Sequence, residues 1–469
     1  MSKIIKQFSK IIVPFSYYLE NREAFFQKKA EGKDIKIWNE FSFSTNHLFD
    51  YINDKCNLSD SNSIMRALSM SDGARAMFGL RGANSLMELS TRGNQAGKKL
   101  KVKLRSINLY LFETHIGFLD FDWEYVDGDM SDFVNANYFL SELKSDKNVL
   151  NVQTGKDDIA EVHLKEVIEN ILCLFDNVTG FDIDENVSFY DLKPIAYSAI
   201  LLDKEYDELE NDLHKLASGD KSSYKTEKTD ICSLFENSKW VGSDTTMTNV
   251  AWLVGDEVTD NFFQTQFLSN ARMGYFYLFL LILNRKFTLL KRLHQINKLN
   301  PKSAILDEEQ LRLQNEALSD AILKSQLYEI RCKFYRPSSV SHINKYYDYI
   351  LTMQQVDIYE KELTEKTQTL IRITEESKKR LEVFENYRRV KWQFYVFLIA
   401  QIIGSITIFK SMWDIVEKVF NISIHENLLF MIIPIAVTLV YAIGVGIQMV
   451  LKYKEMKKLE RWSQKQLKG

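Results

Sequence analysis

Glycines and arginines are concentrated in residues 72–99, which read DGARAMFGLRGANSLMELSTRGNQAGKK. Glycine lets the backbone approach a ligand closely, and the guanidinium forks of Arg75, Arg81 and Arg92 suit phosphate or carboxylate oxygens. Free backbone amides and arginines together can form a cradle for an anion. Because a surface loop has the same composition, the segment predicts either a ligand-binding site or a plain loop.

Two tryptophans, Trp240 and Trp252, flank a threonine-rich turn within residues 239–256. An adenine ring could stack on these indoles, because every base has a flat face that an aromatic side chain can cover. The alternative is that both tryptophans are ordinary core residues. The sequence leaves both interpretations open.

No motif predicts catalysis or a metal centre. The sequence contains neither a GxxxxGK[ST] phosphate loop nor an HExxH motif, and none of its seven histidines pairs with another at metal-ligand spacing. The four cysteines lack the spacing of a zinc site, and a net charge of −3 gives no argument for nucleic-acid binding. We therefore expect no enzymatic activity, no covalently bound cofactor and no nucleic-acid partner, and metal ligands stay unassigned.

Two uncharged stretches near the C-terminal end, residues 392–409 and 428–451, are long and apolar. A bilayer core requires about 20 predominantly apolar residues in a helix, so both stretches qualify as membrane spans. A pair of buried helices in a soluble protein is the alternative. A third apolar run, residues 273–283, is too short to cross a bilayer and predicts a helix buried in a cytoplasmic core.

Basic residues flank the two spans on the same side. Arg388, Arg389 and Lys391 precede the first span, and five basic residues follow the second between Lys452 and Arg461. Since positive charge favours the cytoplasmic side, both termini are predicted to be cytoplasmic and the intervening loop to be external. The sequence thus predicts a multi-pass protein of the inner (cytoplasmic) membrane.

The remainder of the chain predicts an α+β cytoplasmic domain that a long helix joins to the membrane part. Residues 101–112 and 119–125 alternate apolar and polar side chains around a short turn, which predicts an antiparallel hairpin with one buried face. From near Ser341, no proline interrupts the chain before Pro434, so one continuous helix is expected to enter the first span. The predicted parts are 1–260 (α+β sensor domain), 261–340 (helical subdomain), 341–391 (stalk helix), 392–412 (first span), 413–427 (external loop), 428–451 (second span) and 452–469 (basic tail).

A helical projection of the first span places seven side chains on one face. Gln401 and Ser405 are the polar pair on that face, and apolar constrictions on either side of them could gate a pore by dewetting. The alternative is that Gln401 and Ser405 hold neighbouring helices together. The predicted pore-lining residues are Phe394, Phe397, Leu398, Gln401, Ser405, Ile408 and Met412.

This layout resembles the CorA family of divalent-cation channels and transporters, in which an α/β cytoplasmic domain leads through a long helix into two spans. The tail KYKEMKKLERW is similar to the basic ring that this family places at the inner membrane face. Residues 275–293 look like a stretch in divergent CorA-like proteins that accompany type III CRISPR systems. The family's Gly-Met-Asn filter is absent, since residues 405–413 read SITIFKSMW in its place.

The resemblance implies a pentamer and a role in prokaryotic antiviral defence. The implied effector binds a nucleotide second messenger in its cytoplasmic domain, either a cyclic oligoadenylate or an S-adenosylmethionine–AMP conjugate, and makes the membrane leak. The alternative is a divergent transporter of magnesium or another divalent metal ion, which would need a ring of polar oxygen ligands. A non-conducting membrane scaffold is the third interpretation.

Overall fold

The computed structural model of the chain describes residues 3–18, 38–41, 64–80, 86–91, 100–126, 128–141, 148–153, 159–173, 194–219, 230–299, 308–332, 338–420 and 432–468. The chain divides into two compact units. The sheet unit comprises Met1–Gln295 and Gln326–Thr364, and the helical unit comprises Ile296–Ser325 and Glu365–Gly469. The prediction of a sheet-containing N-terminal part followed by a long helical region is confirmed.

Twelve strands among the described residues form one mixed sheet in the sheet unit. Their order is β10-β11-β12-β9-β1-β6-β5-β4-β7-β8, with β3 also paired to β5 and β2 paired to β3. Only β9 and β12 pair in parallel among these strands. The strands are β1 (Ile4–Ser16), β2 (Trp38–Glu40), β3 (Met65–Met70), β4 (Leu86–Thr91), β5 (Leu100–Phe112), β6 (Ile116–Tyr125), β7 (Asn148–Gln153), β8 (Ile159–Val162), β9 (Ile195–Leu202), β10 (Ile231–Phe235), β11 (Ser238–Gly242) and β12 (Thr246–Trp252).

Short helices accompany the strands, and long helices follow them. A π-helical turn, Ala271–Tyr275, joins two of the helices into one continuous rod. The α-helices are α1 (Asp72–Met77), α2 (Met130–Ser141), α3 (Leu164–Cys173), α4 (Leu209–Ser218), α5 (Asn261–Asn270), α6 (Phe276–Lys298), α7 (Glu308–Cys332), α8 (Ser341–Met353), α9 (Val356–Phe420) and α10 (Ile432–Lys468).

The predicted hairpin is confirmed as β5 and β6, but the expectation of a single buried face is wrong. Asp120 and Asp122, on the face that alternation assigned to solvent, are 0% and 4% exposed. Helix α6 covers this second face, where its Phe287 ring lies 5.9 Å from the ring of Phe118. A bulge after Leu104 shifts the register once, which explains why the apolar positions change parity along β5.

The apolar run at residues 273–283 is buried, as predicted. The run lies in the π-helical turn and the beginning of α6. The helical rod Asn261–Lys298 that contains it is long and apolar enough to cross a membrane, as the run alone is not, but 89% of the most apolar window of the rod is buried inside the protein. Tyr197 of β9 packs against Phe276 and Phe279 of this helix, with ring centroids 5.2 and 5.5 Å apart. A helix that is apolar all round is stable in water only when it is covered on every side, and residues 276–289 of α6 are all buried.

The predicted continuous stalk helix is interrupted at Gln354 and Gln355. Helix α8 ends at Met353, α9 begins at Val356, and Gln355 has a φ of 55°. The Gln354 side chain is fully buried, donates to the Ser243 carbonyl at 2.7 Å and accepts from Lys286 Nζ at 3.1 Å. These tertiary hydrogen bonds hold the break, which no proline or glycine signals.

Both C-terminal helices extend beyond the predicted spans. Helix α9 has 65 residues and includes 413–420, which the sequence assigned to the external loop. Trp413 Nε1 donates to Glu417 Oε1 at 3.2 Å, one turn further along that extension. Helix α10 has 37 residues and includes most of the predicted tail, whereas 421–431 lie outside the described residues.

Candidate functional site

Within the glycine–arginine segment, Arg75 lies inside the sheet unit. Ser71 caps α1 by accepting a hydrogen bond from the Ala74 amide, which fixes the start of this short helix. The Arg75 guanidinium is 1% exposed and donates to the Leu104 carbonyl at 2.9 Å. Burial lowers the pKa of Arg75, and Asp72 counters that effect from 3.5 Å away. Arg75 thus holds α1 against β5, and Arg81 and Arg92 lie outside the described residues.

The two tryptophans of the second candidate site occupy opposite faces of the sheet. Trp240 is paired with Asn249 across β11 and β12, whereas Trp252 is an odd number of residues further along β12. Trp240 is fully buried, and its ring centroid lies 4.4 Å from that of Tyr346. Trp252 instead has Lys239 Nζ 5.7 Å from its ring. The two indoles therefore cannot clamp one base between them, although both residues line one cavity. Trp240 has the core position that the sequence left as an alternative.

A cavity of about 510 Å³ adjoins Trp240. It is bordered by β11, β12, α5 and the beginning of α8, all within the sheet unit. Its aromatic lining includes Phe263 and Phe267, one turn apart on α5, and His342, whose ring lies 4.9 Å from that of Phe235. Ligand pockets typically have volumes of about 300–1,000 Å³, so this cavity has the size of a small-molecule site.

Local capping fixes where α5 begins and thereby positions the cavity wall. Asp260 accepts hydrogen bonds from the amides of Phe262 (2.8 Å) and Phe263 (3.3 Å). The π-helical turn follows α5 directly, and π-turns within helices are often found at functional sites. Tyr275, the last residue of that turn, also lines the cavity and packs 5.1 Å from the Trp240 ring.

Buried charges beneath the start of α6 were not recognised from the sequence. Lys10 Nζ lies 2.9 Å from Asp120 and 3.3 Å from Asp122, and Arg272 lies 3.3 Å from Asp122. Burial raises the pKa of Asp120, while Lys10 lowers it. Asn108 donates a further hydrogen bond to Asp120 at 3.1 Å. The charges neutralise one another, so the cluster locks α6 onto the sheet rather than presenting a free acid or base.

A second buried cluster ties the beginning of α9 to the sheet unit. Arg285 of α6 donates to Glu360 at 2.7 Å, and Tyr328 donates to the same carboxylate at 2.8 Å. Burial lowers the pKa of Arg285, but Tyr328, Tyr347 and Glu360 together raise it above its ordinary value. The guanidinium therefore stays charged. Its partners lie 43 to 75 residues away in the sequence, so local residue spacing could not have predicted these pairs.

The seven predicted pore-lining residues do share one face of α9, and each is half-buried. Tyr441 of α10 donates to Gln401 Oε1 at 2.7 Å, and the Ser405 hydroxyl donates to the Gln401 carbonyl at 2.9 Å. A Cβ at Gly404 would lie 3.0 Å from the Tyr441 hydroxyl, so the glycine permits this approach.

The N-terminal end of that face also contacts α10 in the same chain. Lys452 Nζ lies 4.0 Å from the centre of the Phe397 ring, and the rings of Phe394 and Tyr453 are 6.5 Å apart. These contacts match the helix-packing role that the sequence offered as the alternative for Gln401. A pore-lining role belongs to an assembly of chains and stays a prediction.

The opposite side of α9 is apolar and exposed. Its large side chains are between 49% and 64% accessible: Tyr395, Val396, Ile399, Ile402, Ile403 and Ile406. Helix α10 likewise exposes a row of apolar side chains: Leu439, Val440, Ile443, Ile447, Val450 and Leu451. Soluble monomers rarely expose contiguous apolar surfaces of this extent, so these helices require a partner or an apolar solvent.

No protein-family model matches the chain, and neither a curated protein nor a solved structure is similar to it. Among the described residues, no group of three or more histidine, cysteine, aspartate or glutamate side chains could hold a metal ion. The cavity in the sheet unit and the exposed apolar helices are therefore the features from which a function can be argued.

Proposed function

We propose that the chain is an oligomeric effector of the inner membrane whose sheet unit binds a small ligand and whose C-terminal helices then make the membrane leak. The exposed apolar surface of α9 and α10 carries this proposal. In α9, none of the most apolar 18-residue stretch is buried inside the protein. In α10, 6% of the corresponding stretch is buried. Both helices are long and apolar enough to cross a bilayer.

The flanking charges support one orientation in the membrane. The residues between Arg388 and Lys391 and those between Lys452 and Arg461 are rich in lysine and arginine. If both basic segments remain in the cytoplasm, the N-terminal sheet unit lies there too. A cytoplasmic sheet unit would meet ligands made inside the cell.

Continuity of α9 provides a route from ligand to membrane. Its first nine residues belong to the sheet unit, where Glu360 is bonded to Arg285, and the rest of α9 belongs to the helical unit. A ligand that favours one arrangement of the sheet unit would shift the population of states at the start of the same helix. For such a switch, the ligand need only bind one of the two states more tightly than the other.

The ligand that we propose is a nucleotide second messenger, a cyclic oligoadenylate or an S-adenosylmethionine–AMP conjugate. The CorA-like layout without Gly-Met-Asn supports this choice, as does the type III CRISPR-like stretch at residues 275–293. On the same basis we propose a homo-oligomer, a pentamer in the CorA arrangement, that acts in antiviral defence.

The test is ion leakage from liposomes that contain the purified full-length protein. Each messenger is added separately, and AMP serves as the control nucleotide. We expect leakage that depends on one messenger, and the variant Arg285→Met should weaken that dependence because it frees the beginning of α9.

Two other results would replace the proposal. Uptake driven by magnesium or another divalent cation, with no response to a messenger, would establish the transporter. Intact liposomes under every condition, in an assay where a known channel leaks, would support the scaffold. In that case Gln401→Ala and Ser405→Ala should change no measurable activity.

A further inference from the structure

We infer that the cavity beside Trp240 binds an uncharged heteroaromatic molecule of about nucleoside size, which stacks on aromatic side chains and accepts a hydrogen bond from the Trp240 indole. The inference rests on the proposed function in that it names where, and by which chemical group, the sheet unit would bind its ligand. If the ligand is a nucleotide, only its base and sugar enter the cavity, and its phosphates remain outside.

The walls of the cavity favour a flat, apolar-faced ligand. Phe263 and Phe267 of α5 and Phe235 of β10 supply accessible aromatic surface, while Trp240 and Tyr275, which are 0% and 7% exposed, complete the lining. Phe263 is 40% exposed despite lying at this lining, so its ring has room to pack against a further molecule. Stacking on such rings tolerates any heteroaromatic ring, since all have a π-face.

A donor in the lining lacks an acceptor. The Trp240 indole N–H is buried and has no hydrogen-bond partner in the described part of the chain. Its cross-strand neighbour Asn249 accepts from the Ser238 hydroxyl at 2.9 Å and is not turned toward the indole as an acceptor. A buried polar group without a partner is costly, so the indole N–H calls for an acceptor atom. Ring nitrogens or carbonyl oxygens of a heterocycle supply such atoms.

The charges around the cavity exclude a phosphate from its interior. Glu236 and Glu257 line it, whereas no lysine or arginine is among the described residues that line it. Lys239, the basic residue adjacent to Trp240, points to the opposite face of the sheet and is bound by Glu205 and Glu210. Burial lowers the pKa of His342, so its imidazole adds no positive charge at neutral pH. The charged side chains in the lining, Glu236 and Glu257, repel a dianionic group.

Calorimetric titration of the purified full-length protein in detergent tests the inference, with adenosine as the uncharged probe. We expect saturable binding, and Phe263→Ala should weaken it roughly tenfold through the lost stacking surface. Phe262→Ala is the matched control, because Phe262 is the preceding residue, is 73% exposed and does not line the cavity. Both variants alter exposed rings on α5, so folding is expected to survive and is checked by circular dichroism.

A second pair of measurements isolates the charge argument. AMP carries the same base and sugar as adenosine, and we expect it to bind at least tenfold more weakly. Replacing Glu236→Gln and Glu257→Gln together should bring the affinity for AMP closer to that for adenosine and leave the adenosine affinity unchanged. Both glutamates are exposed, so the substitutions remove charge without disturbing the core.

Three outcomes would overturn the inference: no saturable binding of adenosine at millimolar concentration, equal effects of Phe262→Ala and Phe263→Ala, or AMP binding as tightly as adenosine. Binding is measured without a membrane and therefore separates this inference from the proposed function. Adenosine binding that depends on Phe263, together with liposomes that never leak, would keep the cavity assignment and reject the membrane effector. If a messenger drives leakage and Phe263→Ala leaves that leakage unchanged, the membrane effector is kept and the cavity assignment is rejected.

Discussion

The sheet unit and the helical unit distribute polar and apolar side chains in opposite ways. In the sheet unit, Lys10, Asp120 and Arg285 lie inside and each has a partner of opposite charge or a hydrogen bond. In the helical unit, isoleucines such as Ile402 and Ile406 are more than half exposed on the surface of α9. Buried charge is tolerated only when it is paired, and exposed apolar surface of this extent is unstable in water.

The contrast shows that the two units are adapted to different surroundings. A sheet unit with paired internal charges has the interior expected of a protein in water. In the helical unit, Tyr441 of α10 is hydrogen-bonded to Gln401 of α9, and the exposed apolar surface of both helices is of the kind that a bilayer covers.

Lysines on the exposed face of α9 should prevent stable membrane association. In Ile399→Lys/Ile403→Lys, each lysine costs about 2.5–3.5 kcal/mol near the centre of a spanning helix. The measurement is the fraction of protein that resists alkaline extraction from membranes, which we expect to fall sharply. Ile358→Lys is the control, since Ile358 is 63% exposed on the same helix but lies outside the apolar stretch. An unchanged membrane fraction in the double variant would contradict a membrane-spanning α9.

Removing the cation of the buried cluster should strongly destabilise the sheet unit. Lys10→Met leaves Asp120 and Asp122 with less compensating charge, and breaking a buried pair on one side costs about 3–5 kcal/mol. Chemical denaturation followed by tryptophan fluorescence measures the loss. Arg105→Met, which removes an ion pair with Glu124 at a half-exposed position, is the control and should cost about 1 kcal/mol or less.

The same variant should acquire a pH dependence of known sign. Burial already raises the pKa of Asp120 while Lys10 lowers it, so losing Lys10 raises that pKa further. A carboxyl whose pKa is higher in the folded state loses its stabilising contribution as the pH rises through that value. Since the unfolded chains are alike, the deficit of Lys10→Met relative to the native protein should grow as the pH rises from the already raised folded-state pKa of Asp120 in the native protein to its higher pKa in the variant. A deficit that is constant with pH would show that Asp120 stays ionised.

The hydrogen bond between α9 and α10 distinguishes helix packing from pore lining. If Gln401 serves packing, Tyr441→Phe and Gln401→Ala should each cost about 0.6–1.7 kcal/mol of helix association, and the double variant should cost no more than one of them. If Gln401 lines a pore, Gln401→Ala should change ion leakage while Tyr441→Phe does not. Thermal unfolding in detergent and liposome leakage, measured on the same variants, separate the two roles.

The smallest expected effect is at the break before α9. Gln355 is exposed and has a φ of 55°, a conformation that glycine adopts without strain. Gln355→Gly should therefore stabilise the protein by up to about 1 kcal/mol, net of the greater freedom of glycine in the unfolded chain. Gln355→Val should do the opposite, since a β-branched residue is strained there. Denaturation midpoints of the two variants provide the comparison.

Several features could be predicted because they depend on local periodicity or on length. The hairpin of β5 and β6, the buried helix at residues 273–283 and the shared face of α9 all follow from alternation or from a period of 3.6 residues. The site residues were harder to predict. Trp240 and Trp252 flank one turn in the sequence, but their positions along β11 and β12 place them on opposite faces of the sheet. Arg75, a candidate ligand-binding residue, is buried in the core.

The sequence by itself determined where the apolar helices lie, which flanks are basic, and that a sheet-forming part precedes a long helical one. These properties follow from composition and from the periodicity of neighbouring residues, so they can be predicted without knowing which distant residues are in contact. Tertiary structure alone decided that Asp120 and Asp122 are buried, that Gln354 breaks the stalk, and that a cavity forms beside Trp240. Each of these depends on residues that lie far apart in the chain, such as Lys10 with Asp120 and Lys286 with Gln354.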